Sequence, residues 1–330
     1  MKGNRSAVWL LVGVLVGFGL PVFALIGTVF ALVLSTTQLA DRGGSSVDKA
    51  THLSGPKSGP AVALLDIVGP IVSGKKPVFE TESMAAAGNI VPLIRKISQS
   101  ADTKALVLRV NSPGGSVVGS DEIYNALQGM EKPIVVLMQE VAASGAYYIS
   151  MAATHIVVNP NTLTGSIGVI GQFPNAAELM DKIGFQMTTI KSGKSKDIGN
   201  PFRPMDDEEK AIFQDIIDET YGRFVGIVAG GRKLSEERVR ELADGRVYTG
   251  QRALEMGLVD ALGYEGDAVS KAAELAGIEG EPRLIHFKEE AGVFEMLVGS
   301  KGSALWALPG LTYNQIYRLM TPSLEFLWKP

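Results

Sequence analysis

The chain has 330 residues, with 31 basic against 35 acidic side chains, no cysteine and three histidines. That length can bury a large core, and a near-neutral charge without a basic, aromatic-interleaved stripe argues against a nucleic-acid partner. The missing cysteine excludes disulfides, thiolate metal sites and a cysteine nucleophile, and His52, His155 and His286 lie too far apart in sequence to suggest a metal site or to call for a cofactor.

Ser6 to Ala40 carries no charge, and Val8 to Leu34 is almost wholly apolar. As a helix this stretch is about 40 Å long against a hydrocarbon core of about 30 Å, so a transmembrane anchor is expected, tilted or kinked at Pro21. It exceeds the roughly 7–15 apolar residues of a cleaved signal peptide, although Gln38-Leu-Ala40 would serve as a cleavage site. Lys2 and Arg5 precede the span while Asp41 and Arg42 cancel after it, which predicts a cytoplasmic N-terminus and an extracytoplasmic remainder. The chain therefore divides into an anchor (1–40), a Gly/Ser/Pro-rich tether (41–60), an α/β domain (61–300) and an apolar tail (301–330) broken by Pro309 and Pro322. Three destinations are open to that tail: a neighbouring subunit, the bilayer, or a groove that it enters as a product-like peptide.

Within the domain, apolar runs at 61–71, 105–110, 133–138 and 155–158 read as buried strands. Helical spacing follows at 82–99, after Ser116, after Ser144, and at 174–183; a strand is then expected at 186–190. An acid-started helix over 206–228 and another over 235–242 come next, and 283–287 is a late strand. Strands buried on both faces and alternating with helices predict a layered α/β fold with largely parallel pairing.

Two strand-turn-helix junctions carry chemistry. Val141-Ala-Ala-Ser-Gly-Ala-Tyr-Tyr-Ile149 sets Ser144 among small residues, with the Gly145 amide directly after it, so Ser144 is the candidate nucleophile. Pro113-Gly-Gly115 can take positive φ and expose amides without a Cβ in the way, which suits an oxyanion-binding loop. Neighbouring parallel strands would bring both turns to one sheet edge, where α/β sites lie. Ser112 and Ser116 flank the glycines and read as turn formers.

A serine needs a base. His155 lies eleven residues after Ser144 at a strand start, while His52 sits in the tether and His286 in the late strand. The alternative is a lysine from Lys191-Ser-Gly-Lys-Ser-Lys-Asp197. An ordinary lysine pKa near 10.4 leaves only about one molecule in a few thousand neutral at pH 7, so burial would have to depress it. The residues by themselves leave Lys191, Lys194 and Lys196 open.

From about Ala61 to Gly280 the chain resembles the signal peptide peptidase A family of membrane-anchored serine–lysine proteases, within the Clp protease/crotonase-like fold of repeated strand-strand-helix units. The resemblance rests on Asn111-Ser-Pro-Gly-Gly115, Ala143-Ser-Gly-Ala-Tyr-Tyr148, Thr164-Gly-Ser-Ile-Gly168, Lys191-Ser-Gly-Lys-Ser-Lys-Asp197 and Val247 to Asp260, in that order. It implies that Ser144 is the nucleophile, Lys196 the general base and Ser166 the group orienting the lysine amine, with Gly114 or Gly115 and Gly145 forming the oxyanion hole. It also implies apolar peptide substrates such as remnant signal peptides, and a ring- or bowl-shaped homo-oligomer. Thr154-His155 departs from the Asp-Lys pair common in the family. A single copy of the fold is present, so both dyad residues are expected in one subunit. Acyl-CoA chemistry on the shared crotonase fold, or a silent membrane scaffold, are the rival readings.

Overall fold

The computed structural model describes residues 50–76, 83–288 and 323–327, all within the compact unit Asp48–Pro330. The expected membrane span at residues 8–34 lies outside the described residues. Among the described residues no helix is long and apolar enough to cross a membrane.

In chain order the strands are β1 (Ala50–Ser54), β2 (Ala61–Val68), β3 (Ile71–Val72), β4 (Ala85–Ala86), β5 (Thr103–Ser112), β6 (Gly114–Ser116), β7 (Ile134–Ala143), β8 (His155–Val158), β9 (Leu163–Gly165), β10 (Ile170–Gln172), β11 (Val247–Thr249), β12 (Ala261–Leu262), β13 (Arg283–Phe287) and β14 (Ser323–Leu327). The helices are α1 (Ala87–Gln99), α2 (Val117–Gln128), α3 (Gly145–Ser150), α4 (Ala177–Ile183), α5 (Asp207–Arg232), α6 (Glu236–Leu242), α7 (Gly250–Glu255) and α8 (Glu265–Leu275).

The main sheet runs β1-β13-β2-β5-β7-β8-β12, with β9 beside β7 and β11 beside β9. From β13 to β12 the pairing along that path is parallel, as the two-sided apolar runs predict. Alternate residues supply the two faces. Leu65, Leu106, Leu108, Val136 and Met138 join the larger core with the helical layer that includes α1 and α3. Leu64, Val107, Val135, Leu137 and Val157 meet Ala268, Val269 and Ala272 of α8 on the other side. Each fully buried Leu, Ile or Val contributes about 1.5–3 kcal/mol of transfer free energy, so two filled faces leave the sheet's strand order little freedom.

A second sheet has the order β10-β14-β6-β3-β4, and the chain passes from the first sheet to the second where β5 ends at Ser112 and β6 begins at Gly114. The tether and the loop before the helix at 207 depart from expectation. Ala50–Ser54, read as tether, pairs antiparallel with β13; its exposed side chains carry no apolar period, and the ladder comes from β13's free edge. The strand expected at 186–190 does not form: Phe185, Met187 and Ile190 are exposed, and among the described residues no strand pairs with that segment. Asp206 starts α5 with a reciprocal capping box, its carboxylate accepting from the Glu209 amide at 2.8 Å while Glu209 Oε2 accepts from the Asp206 amide at 3.1 Å.

Candidate active site

Strand β7 ends at Ala143 and α3 begins at Gly145, so Ser144 takes the whole change of direction. Its backbone sits at φ 54°, ψ −116°, a conformation rare for a side chain with a Cβ, and it is buried. Such strain persists only where the surroundings over-determine it, and here they do. Ser144 N donates to Gly165 O at 2.8 Å, its own carbonyl accepts from Tyr148 N at 2.8 Å, and Tyr147 Oη anchors the helix by donating to Leu258 O at 2.8 Å. Burial raises the Tyr147 phenol well above its ordinary pKa, keeping it a donor.

The Gly165 contact comes from register. Strand β9 runs parallel to β7 with Ala143 opposite Gly165, which sets Ser166 immediately beside Ser144. Ser166 also has positive φ, 49°, is buried, and donates its amide to Arg246 O at 2.8 Å. Thr164 secures the same pair of strands by donating its hydroxyl to Ala142 O at 2.7 Å. Ser144 and Ser166 open onto one cavity of about 550 Å³, walled by Val169, Ile170, Ile217, Tyr221 and Leu327 among others. Asp218 and Asp244 also line it, and the Arg246 guanidinium holds the Asp244 carboxyl below the ordinary carboxylate range.

The glycine loop arrives from the other side. A Cβ on Gly114, at φ +92°, would stand 2.1 Å from Phe326 O and 2.5 Å from Gly145 N; one on Gly145 would stand 2.5 Å from Ser120 Oγ and 3.2 Å from Gly115 N. The two contacts at Gly114 are backbone contacts closer than any Cβ accepts, so the loop reaches Gly145 only because Gly114 has no side chain, and Gly145 in turn leaves room for the Ser120 hydroxyl. The Gly114 amide donates to Ser112 Oγ at 3.1 Å, which leaves Gly115 as the loop glycine whose nitrogen faces Gly145. Ser116 caps α2 by accepting from Gly119 N at 3.1 Å, so both flanking serines are turn formers as the sequence suggests.

The base candidates separate clearly. Val135 is the partner of His155, eight residues before Ala143 along β7, so His155 sits roughly 26 Å from Ser144 at the opposite sheet edge. His286 bonds Asp66 at 2.8 Å, and His52 contacts Pro56 O at 3.1 Å. Lys194 pairs with Glu208, while Lys191 donates to Asp197 at 2.5 Å and to Lys194 O at 2.7 Å. Lys196 is exposed on a 3-10 turn, Lys194–Asp197, and is not among the residues walling the Ser144 cavity. That turn is pinned by Arg203, whose Nε donates to Asp197 Oδ2 at 3.0 Å and whose Nη1 donates to Glu209 Oε2 at 2.8 Å. The two bonds to Asp197, from Arg203 first and Lys191 second, hold its carboxyl far below the ordinary range. Within one chain the fold thus brings together Ser144, Ser166, Gly115 and Gly145, and leaves Lys196 apart.

Sequence reasoning missed the far wall of the cavity: Ile217 and Tyr221 of α5, Asp244 and Gly245, and Leu327 of β14. The first four sit in elements whose periodicity reports only helix or turn, and the last lies more than 180 residues from the serine it approaches.

Comparison with known proteins places these residues in context. The family model described as Peptidase family S49 matches residues 126–279, and the Clp protease model matches residues 77–164. A protein of Synechocystis sp. that carries a provisional protease name is 44% identical over 205 residues, covering 61% of this chain and 74% of its own length. An Enterococcus faecium protein provisionally named signal peptide peptidase SppA is 35% identical over 231 residues, 69% of this chain and 67% of that one. The chloroplastic serine protease SPPA of Arabidopsis thaliana is 36% identical over 220 residues, 66% of this chain and 32% of the plant protein.

Proposed function

We propose, for a chain that belongs to peptidase family S49, the signal peptide peptidase A family of serine proteases, that it is a membrane-anchored endopeptidase cutting apolar peptides, remnant signal peptides among them, with a Ser144–Lys196 dyad. The observation that carries the reading is the pairing of two buried serines at positive φ, Ser144 and Ser166, on one cavity, with the glycine loop packed closely against Gly145. In this reading the Lys196 amine takes the Ser144 proton, Ser144 Oγ adds to the peptide carbonyl, and the oxyanion is held by the Gly115 and Gly145 amides. The leaving amine departs with the proton returned by Lys196, and water hydrolyses the acyl-enzyme. Ser166 accepts from the lysine amine and aims it.

Lys196 belongs to a neighbouring copy in this scheme. Its turn is exposed in the single chain and absent from the Ser144 cavity, which supports a scheme in which a second subunit brings its lysine to the serine. In this scheme the homo-oligomer completes the site, in place of a dyad contained in one subunit. Residues 8–34 supply the bilayer anchor with the catalytic domain outside the cytoplasm, and residues 301–330 form a tail to the 61–300 protease domain.

The test is hydrolysis of an apolar fluorogenic peptide by the full chain in detergent, beside Ser144→Ala. A loss of at least about 10³-fold with unchanged folding and assembly is expected. Equal rates in the two proteins would remove Ser144 from the mechanism.

A further inference from the structure

The turn that carries Lys196 has no apolar anchor. Residues 181–196 are all exposed, the 3-10 turn Lys194–Asp197 buries none of its side chains fully, and among the described residues no strand pairs with the segment leading into it. No core packing sets where this turn stands, and left to itself it would sample many directions.

What holds the turn is polar. Arg203 is forked between two carboxylates: its Nε donates to Asp197 Oδ2 at 3.0 Å and its Nη1 to Glu209 Oε2 at 2.8 Å, while Nη2 donates to Glu209 Oε1 and, at 3.0 Å, to the Asp197 carbonyl oxygen. The Asp197 and Glu209 side chains are only 11% and 6% exposed. Lys191 closes the turn from the other side by donating to Asp197 Oδ1 at 2.5 Å and to Lys194 O at 2.7 Å, and Lys194 pairs with Glu208. Glu208 and Glu209 belong to the first turn of α5, the helix whose Ile217 and Tyr221 wall the Ser144 cavity. Two of the three lysines thus staple the turn, and Lys196 makes no ion pair among the described residues. A planar guanidinium with five donors meets two carboxylates and a carbonyl at once, which a single ammonium cannot. Arg203 is also the leading cause holding both carboxyls below their ordinary range, so the clamp keeps its charges where a lysine base titrates.

We propose that Arg203 is the positioning residue of the general base, clamping the Lys194–Asp197 turn to the start of α5 and so fixing the point from which Lys196 reaches a serine. The proposal rests on the Ser144–Lys196 reading; the clamp itself stands apart from it. Losing the clamp leaves peptide binding alone and misplaces the base, and an error of about 1 Å near a reacting group costs about 100-fold in rate. A loosened amine also stands in water, which returns its pKa toward the ordinary value of about 10.4.

The experiment measures kcat, KM and the pH profile of kcat on an apolar fluorogenic peptide for Arg203→Ala, Arg203→Lys, Asp197→Ala and Lys196→Ala, as full chains in detergent beside wild type. Melting and assembly size are checked for each, and hydrogen exchange of residues 191–203 is followed in parallel. Arg203→Ala should lose about 100-fold in kcat with KM within about twofold, and the acidic limb of its profile should rise by about one pH unit. Its exchange over 191–203 should quicken at least about tenfold. Arg203→Lys should regain no more than about tenfold of the lost kcat. Asp197→Ala keeps the Arg203–Glu209 pair and the start of α5, so it should show the same losses even where Arg203→Ala fails to assemble. A staple with no bearing on the reaction would change melting and exchange alone. Wild-type kcat with an unmoved pH profile in either variant, once folded and assembled, therefore overturns the assignment, and an inactive Lys196→Ala beside it leaves the dyad reading intact. Wild-type turnover by Lys196→Ala sinks the dyad reading instead, and with it the base that Arg203 would position, while faster exchange at 191–203 upholds the clamp by itself.

Discussion

Ser144→Ala and Lys196→Ala should each be inactive as pure assemblies and active when mixed. The reason is structural: Ser144 and Ser166 share a cavity from which Lys196 of the same chain is absent. If every site takes its serine from one copy and its lysine from the next, a site in the mixture works when the serine donor is a Lys196→Ala chain and the lysine donor a Ser144→Ala chain. Random incorporation at equal amounts satisfies both conditions in about one site in four, so kcat per site should reach roughly a quarter of wild type with KM unchanged. The assay is peptide hydrolysis after dissociating and reassembling the two variants together, with native mass spectrometry to establish that subunits have exchanged. Mixed assemblies that remain inactive would return both dyad residues to one chain, because a dyad within a single subunit can never be complete in such a mixture.

Gly114→Ala would place a Cβ 2.5 Å from the Gly145 nitrogen at φ +92°; displacing that proposed oxyanion donor should lower peptide hydrolysis about 100-fold, while the main-sheet circular dichroism is retained. Arg232 makes a two-pronged pair with Asp260, at 2.7 and 3.0 Å, and Asp260 also accepts from Ile156 N at 2.7 Å. Removing the arginine side chain in Arg232→Ala strands a partly buried carboxylate at a cost of about 3 kcal/mol, read as a lower urea midpoint at constant m-value. Burial holds the His286 imidazole below its ordinary pKa despite the neighbouring Asp66, with Arg109 and Lys288 opposing its protonation. A depressed histidine favours folding above the unfolded value of about 6.5 and loses that contribution as pH falls through its folded value. Melting temperature should therefore decline more steeply below about pH 6.5 in wild type than in His286→Gln, and parallel slopes would show that His286 does not carry the effect.

What was legible in the sequence was local. The apolar runs that became β2, β5, β7 and β8, the acid-capped start of α5, and the small-residue junction at Ser144 are all written in neighbouring residues, since a strand buried on both faces needs a continuous apolar run wherever it ends up. The glycines at 114, 115 and 145 were equally visible, because close backbone approach tolerates no Cβ. Register and long-range pairing were not. The juxtaposition of Ser166 with Ser144 depends on Ala143 lying opposite Gly165, and nothing in either segment alone encodes that register. The exposed residues of β1 carry no period of their own, and the short tail strand β14 lies far along the chain from its partners; their ladders are supplied by the edges of β13, β6 and β10. The same holds for the lysines of 191–197, where composition offers three equivalent amines. Tertiary structure divides them, giving Lys191 to Asp197, Lys194 to Glu208, and leaving Lys196 on the outside of its turn. Chain chemistry, in short, names the groups able to react, and only the three-dimensional pairing of distant edges decides which of them meet.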